Sequence, residues 1–488
     1  MKHHCVWALC ASFYILHSAL FITPAAAKIE LPDIVGDNMV LQQQTNARLW
    51  GTAVPGATVT AKADWLSSAV MAKADNDGRW QLTLQTPAAE KREHQITLSE
   101  NGREQLTLSR VLIGEVWFAS GQSNMEMPIE GFWNCPVNQS NEVIATSAQN
   151  PWMRLAMVEK NGQTKRIETC KGRWQLPSPS TTGRMSATAY FFAQMLQQAL
   201  DVPVGVIVSA WGGSKVEGWL PDDIVSTYDD VDIEKEQREG WNGQWWHYYT
   251  PVIMYNGMLW PLRHYTIRGF LWYQGESNVG KDQTYPERLA TMARTWRRDF
   301  GGTAEQLPFY LVEVAPYGDE DQWLSQPRFR ECQHRAAELI GNSGVVCTND
   351  LVAPYERHQI HPAEKRQVGY RLAYMALNRT YGMKQIACDA PEYDHMKVMG
   401  REVEVFFKHA EQGLSPWEDI VGFEVAGADG QFVPAQARLN ESNKSVIVSA
   451  AEVEAPTAVR YCFKSFQPGN LKNARGLPVV PFRSDRTK

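Results

Sequence analysis

The residues best suited to chemistry lie in Gly121-Gln122-Ser123-Asn124, which follows the apolar run VLIGEVWFAS. A serine directly after a buried strand and flanked by glycine can expose its hydroxyl as a nucleophile. Its backbone N–H can then face a developing oxyanion. A serine there can equally cap a following helix, and the motif alone leaves both readings open. It is not the G-x-S-x-G elbow, because Asn124 and Met125 follow the serine. A second cluster, Ala210-Trp211-Gly212-Gly213-Ser214, follows VGVIVS. Its glycines allow a backbone N–H to approach a substrate oxygen, although a plain strand-to-helix turn uses the same residues. A third, Trp272-Tyr273-Gln274-Gly275-Glu276-Ser277-Asn278, offers the Gln274 amide as a further donor or, alternatively, as a bridge between loops.

A general base is available in DLVAPYERHQIHPAEKRQVGYRLA, which carries His358 and His361. Pro362 is expected in the first turn of the following helix, placing the His361 ring at a helix N-terminus. His358-x-x-His361 has the form of a metal pair but lacks further His or Cys neighbours, so no metal and no cofactor are expected. Asp350 is the first choice for the acid that orients the imidazole, with Glu276 or a backbone carbonyl as alternatives. Gln122, Asn124, Glu276 and Trp211 flank these clusters and are expected to touch substrate.

The chain from about residue 110, which carries all of these residues, alternates apolar strands with helical segments. The strands are VLIGEVWFAS, VGVIVSAW, IRGFLWYQ, FYLVEVAPY and GVVCTNDL. The helices are TAYFFAQMLQQAL, RLATMARTWRRDF, RECQHRAAELI and AEKRQVGYRLAYMALNRTYG. That texture predicts an α/β domain over residues 110–382, built on a parallel sheet covered on both faces with ligands beyond the carboxyl ends of its strands. Short alternating runs predict an N-terminal β module over 28–109 and a C-terminal one over 383–488, both sandwich-like.

A length of 488 residues suits several domains. The net charge of −6 gives no basic footprint for nucleic acid. Residues 1–27 read as a signal peptide: Lys2, an apolar run, then Ala25-Ala26-Ala27. A soluble, exported protein is therefore expected, periplasmic or secreted, with no membrane attachment after cleavage. Cleavage leaves Cys135, Cys170, Cys332, Cys347, Cys388 and Cys462, and local pairing would join them in that order as three disulfides. The 18 tryptophans suit sugar rings as well as cores. In particular, Trp241, Trp245, Trp246, His247, Tyr248 and Tyr249 form a cluster able to stack on a sugar or to plug a loop.

The three strand-end clusters and the histidine block, in this order, resemble the sialate O-acetylesterases, carbohydrate esterases of the SGNH hydrolase type. The resemblance extends from VGDNMVLQQ near the start through GEVWFASGQSNM, SAWGGSKVEGW, YNGMLWPL, LWYQGESN and IHPAEKRQVGYRLA to AVRYCFKSF and LPVVPF. It implies a flavodoxin-like three-layer α/β/α fold for the central domain and hydrolysis of O-acetyl esters on a carbohydrate. It also implies Ser123 as nucleophile, His361 as base and acid, and an oxyanion hole from the N–H groups of Ser123 and Gly213 with Gln274. One position departs from the wider pattern: the Asp expected three residues before the histidine is His358. Either Asp350 completes a triad from another loop or the site is a Ser–His dyad. Acetylated sialic acid and acetylated xylan or other plant polysaccharides are the competing substrates. A non-catalytic glycan-binding protein and a metal-dependent N-deacetylase are the competing functional classes.

Overall fold

The computed structural model describes residues 29–485, so residues 1–27, expected to be a signal peptide, lie outside the described residues. Six strands form a continuous parallel sheet in the spatial order Ser343–Val346, Phe309–Val312, Gly269–Tyr273, Arg103–Gly121, Val204–Ala210, Met153–Met157; Trp174–Gln175 closes the last edge antiparallel. The protein thus has a mixed α/β fold around a mostly parallel central sheet. Its strands are apolar on both faces. Phe118, Ile207, Phe270, Trp272 and Phe309 join one core, while Trp117, Ala119, Val206, Leu271 and Tyr310 join the other. Helices Tyr285–Asp299 and Ser325–Ile340 cover the first face. Helices Ala187–Leu200 and Arg366–Met375 cover the second. The outermost parallel strand, Met153–Met157, was not among the expected elements, because Arg154 interrupts its apolar run; that arginine is nevertheless fully buried, its guanidinium donating to Pro151 O and Met153 O.

The strand Arg103–Gly121 is 19 residues long and runs through the expected boundary at 109/110. Its first part pairs antiparallel with His94–Glu100 in the N-terminal region, then Leu112 to Gly114 pair parallel with Val40–Gln42. Its end lies between Val204–Ala210 and Gly269–Tyr273. Beyond residue 383 a third core gathers around Val403, Val425, Val446 and Val459 of antiparallel sheets.

The expected disulfides are not formed: Cys135, Cys170, Cys332, Cys347, Cys388 and Cys462 are free thiols. Packing explains the mispairing. Cys170 belongs to one core while Cys135 packs against the other, and Cys388 and Cys462 likewise sit in different cores. Cys332 is in the core below Ser325–Ile340, whereas Cys347 belongs to none of the three core clusters and its carbonyl accepts from Arg371.

Candidate active site

Strand order reverses around Arg103–Gly121, since successive strands add first on one side of it and then on the other. The crevice at such a point is where open α/β sheets bind ligands. Register makes this concrete. Gly121 is the Cα partner of both Ala210 and Tyr273, so Ser123, Trp211-Gly212-Gly213 and Gln274 leave three adjacent strands at one level. Gly121 has φ +140°, and a Cβ there would lie 2.1 Å from Tyr273 O, so no side chain fits where these strands converge. Ser123 then opens the one-turn helix Ser123–Glu126, whose N-cap is Gln122. Ser123 is thus the first helical residue rather than a cap.

The N–H of Gly212 donates to Glu126 Oε2 at 2.6 Å, and Glu126 also pairs with Lys160 at 2.7 Å. Gly213 has φ +78°, a conformation that favours glycine, and the Tyr248 ring packs against it, 2.5 Å from where a Cβ would be. Among the described residues the N–H groups of Ser123 and Gly213 have no acceptor. A cavity of about 240 Å³ adjoins this turn, lined by Glu126, Phe132, Lys160, Val208 and Ala210 among others. Larger hollows of about 640 and 820 Å³ lie elsewhere and contain none of the strand-end clusters.

Gln274 does not serve as an oxyanion donor in this arrangement. It is fully buried, its amide nitrogen donates to Ser214 O at 2.9 Å and to Asn278 Oδ1 at 2.8 Å, and its oxygen accepts from Tyr285. Both amide hydrogens are therefore engaged, and the bridging alternative is the one realised. Gln122 and Asn124 are also buried, which removes them from contact with substrate. Gln122 Oε1 accepts from Gly275 N at 3.2 Å. Asn124 is a hub: it donates to Glu276 Oε1 at 2.5 Å and to Ile360 O at 3.1 Å, and accepts from Lys365 Nζ at 2.7 Å. Trp211 packs on the core, with its N–H on Gly121 O at 3.1 Å.

Asn124 thereby ties the serine turn to the backbone just before His361. Phe132 meets the His361 ring edge-on at 5.2 Å between centroids, and Asn138 N donates to Ala363 O at 3.0 Å. Ser123 and His361 form no hydrogen bond in this structure; such contacts commonly tighten only when substrate binds. The helix after His361 begins at Arg366, so the ring is not at a helix N-terminus as expected. Ala363 N donates instead to Glu356 Oε1, and Lys365 turns inward to Asn124, which holds residues 361–365 in an irregular bend.

Asp350 does not orient the imidazole. Its carboxylate receives Arg371 at 2.7 and 2.8 Å and Lys472 at 2.9 Å. Burial opposes its ionisation, yet these two cations outweigh burial and hold it below the usual carboxylate range. His358 points outward toward Asp319 at 3.8 Å. The neighbours of His361 Nδ1 are neutral: Cys135 Sγ lies 3.7 Å away and donates to Gln359 Oε1, which also accepts from the His361 backbone N–H at 3.4 Å. Burial, assisted by the Lys365 ammonium, pushes the imidazole down to about 4. Burial likewise raises the Glu276 carboxyl, which Asn124 and Lys365 only partly offset, and lowers Lys365 to about 8. Lys365 was invisible as a site residue because its place in the sequence is that of an ordinary surface lysine before a helix. Among the described residues, no group of three or more His, Cys, Asp or Glu converges as a metal site.

Comparison with known proteins accords with this geometry. Residues 113–378 match the model of the family described as carbohydrate esterase, sialic acid-specific acetylesterase. Over 496 residues the chain is 26% identical to the sialate O-acetylesterase of Homo sapiens, covering 92% of this chain and 91% of that protein. The Rattus norvegicus sialate O-acetylesterase is 24% identical, with 92% and 93% covered. The crystal structure of a carbohydrate acetylesterase from Xanthomonas citri is 31% identical, covers 94% of this chain and all of that one, and superposes with a TM-score of 0.82. The protein is a carboxylic ester hydrolase. It belongs to the carbohydrate esterase, sialic acid-specific acetylesterase family.

Proposed function

We propose that the protein removes acetyl groups from O-acetylated carbohydrates through an acetyl-enzyme on Ser123. His361 takes the Ser123 hydroxyl proton as Oγ bonds to the acetyl carbonyl carbon, and the N–H groups of Ser123 and Gly213 receive the oxyanion. Collapse of that adduct breaks the carbon–oxygen bond to the sugar, and His361 returns the proton to the departing hydroxyl. Water then attacks the acetyl-enzyme by the same route in reverse and releases acetate. The observation that carries this reading is the shared register of Gly121, Ala210 and Tyr273, which brings the serine and glycine turns to one level beside the His361 loop.

With Asp350 and His358 turned elsewhere, the site operates as a Ser–His dyad. Gly213→Ala removes the free donor geometry and should lower kcat by roughly 10²–10³. A fluorophosphonate probe should label Ser123, and wild-type enzyme should release acetate from at least one member of a panel of O-acetylated sialosides and xylo-oligosaccharides. Absence of both label and acetate contradicts the assignment of Ser123 as nucleophile and of an O-acetylated carbohydrate as substrate. Acetylated sialic acid is the substrate suggested by the family description, and an acetylated plant polysaccharide is favoured by the exposed aromatic residues described below. The same reading includes export after cleavage at Ala27 and the division of the mature chain at 109/110 and 382/383.

A further inference from the structure

Water-exposed aromatic rings of this protein are concentrated at one end of the sheet. Among the described residues the exposed tryptophans and tyrosines are Trp133, Trp241, Trp245, Tyr248, Trp323, Tyr355 and Trp417. All but Trp417 lie on connections that leave the carboxyl ends of parallel strands. Trp133 follows Arg103–Gly121; Trp241, Trp245 and Tyr248 follow Val204–Ala210; Trp323 follows Phe309–Val312; Tyr355 follows Ser343–Val346. Ser123 leaves the same edge.

Local geometry fixes several of these rings near the reacting residues. Trp133, 95% exposed, is at the tip of a turn closed by reciprocal Phe132–Cys135 backbone bonds of 3.0 and 2.9 Å. Phe132, its neighbour, contacts the His361 ring, and Gln359 Nε2 fastens the turn through Asn134 O at 3.2 Å. At the glycine turn, Tyr248 lies on Gly213 and meets His247 at a tilt, 4.1 Å between centroids, while Trp246 packs against Trp241 and Gly162. Six aromatic faces left in water on connections at the carboxyl end of one sheet, three of them beside the serine, glycine and histidine turns or in the same short loop, suit a binding surface better than scattered exposure. Such rings carry large apolar faces at little conformational cost, the property suited to the C–H faces of pyranose units. A single sugar would cover only the rings beside Ser123.

We infer that this rim is a set of subsites for a glycan chain of several neutral sugar units, with the acetylated unit over Ser123 and its neighbours stacked on Trp133 at one side and on Tyr248 and Trp245 at the other. This inference rests on the esterase reading above and specifies its substrate as an oligosaccharide or polysaccharide rather than a lone acetylated sugar.

The test compares kcat/KM for acetate release from O-acetylated methyl xyloside with that from O-acetylated xylo-oligosaccharides of increasing length. Wild-type enzyme should gain with chain length through a falling KM. Trp133→Ala and Trp245→Ala should each reduce the oligosaccharide-to-monosaccharide ratio by roughly tenfold, whereas Trp417→Ala, on the C-terminal module, should leave that ratio unmoved. Equal efficiency on chain and single sugar, or tryptophan variants with a wild-type ratio, overturns the inference. So does an enzyme that cleaves only acetylated free sialic acid, an outcome that leaves the esterase reading standing. Loss of activity on every acetylated sugar, by contrast, removes the esterase reading itself.

Discussion

In the proposed mechanism His361 must be neutral to accept a proton from Ser123, and burial of the ring near the Lys365 ammonium, rather than pairing with a carboxylate, favours that neutral form. A base held down to about 4 is almost wholly unprotonated at neutral pH. The kcat/KM profile should therefore rise as pH increases through about 4 and stay level above it on the acid side. An acid limb at pH 6 to 7, the ordinary imidazole range of about 6.5, would indicate that a carboxylate had reached the ring after all. At this scale the sequence was legible where a residue type is tied to a backbone shape, as with Gly121, Ser123 and Gly213. It was not legible where a side chain chooses among polar partners. Gln274, Asn124 and Asp350 all sit next to strand ends, and only the packing reveals that each has its hydrogen-bonding groups engaged inward.

Elements convert those residues into a site through two contacts between segments distant in sequence. The serine turn and the histidine bend are joined by Asn124, and Asn124 is itself held between Glu276 and Lys365. Lys365 is thus a positioning residue. Lys365→Met should lower kcat by roughly tenfold or more with little change in KM for a small acetyl ester, because the bend that carries His361 loses its anchor while the crevice is kept. It should also move the acid limb upward from about 4, since the ammonium that disfavours imidazolium is gone. A purely structural lysine would lower the yield of folded enzyme without moving that limb. The parallel strands and covering helices were legible from periodicity, including Ala187–Leu200 and Tyr285–Asp299. The start of Arg366–Met375 was not, because Pro362 resembles a helix opener while tertiary hydrogen bonds to Glu356 and Asn124 delay the helix.

The molecule as a whole is knitted across its regions by buried charge. Arg330 reaches the carbonyls of Lys464 and Ser465, Tyr317 N donates to Ser465 O, and Asp350 joins Arg371 of the α/β region to Lys472 beyond residue 383. Asp350→Asn should accordingly behave as a stability mutation: removing the charge leaves two cations facing an uncharged group and should cost about 3–5 kcal/mol in denaturant unfolding, with kcat of the folded enzyme near wild type. The sign of the pH dependence follows from its depressed folded value. This contribution is complete above the unfolded carboxylate value of about 3.9 and disappears as pH falls through the lower folded one. A large fall in kcat with unchanged stability would return Asp350 to the catalytic set. The exposed aromatic residues belong to this scale too, since six of them lie on the connections that follow four parallel strands.

The claim on which the rest depends is that Ser123 carries the acetyl group. It is tested most directly by measuring acetate release from an O-acetylated carbohydrate by wild-type enzyme and by Ser123→Ala, with thermal unfolding of both as a control for folding. The wild type is expected to turn over, the variant to lose roughly 10⁴-fold or more, and the two to melt within about 2 °C of each other. Acetate release by a folded Ser123→Ala enzyme at the wild-type rate would contradict it.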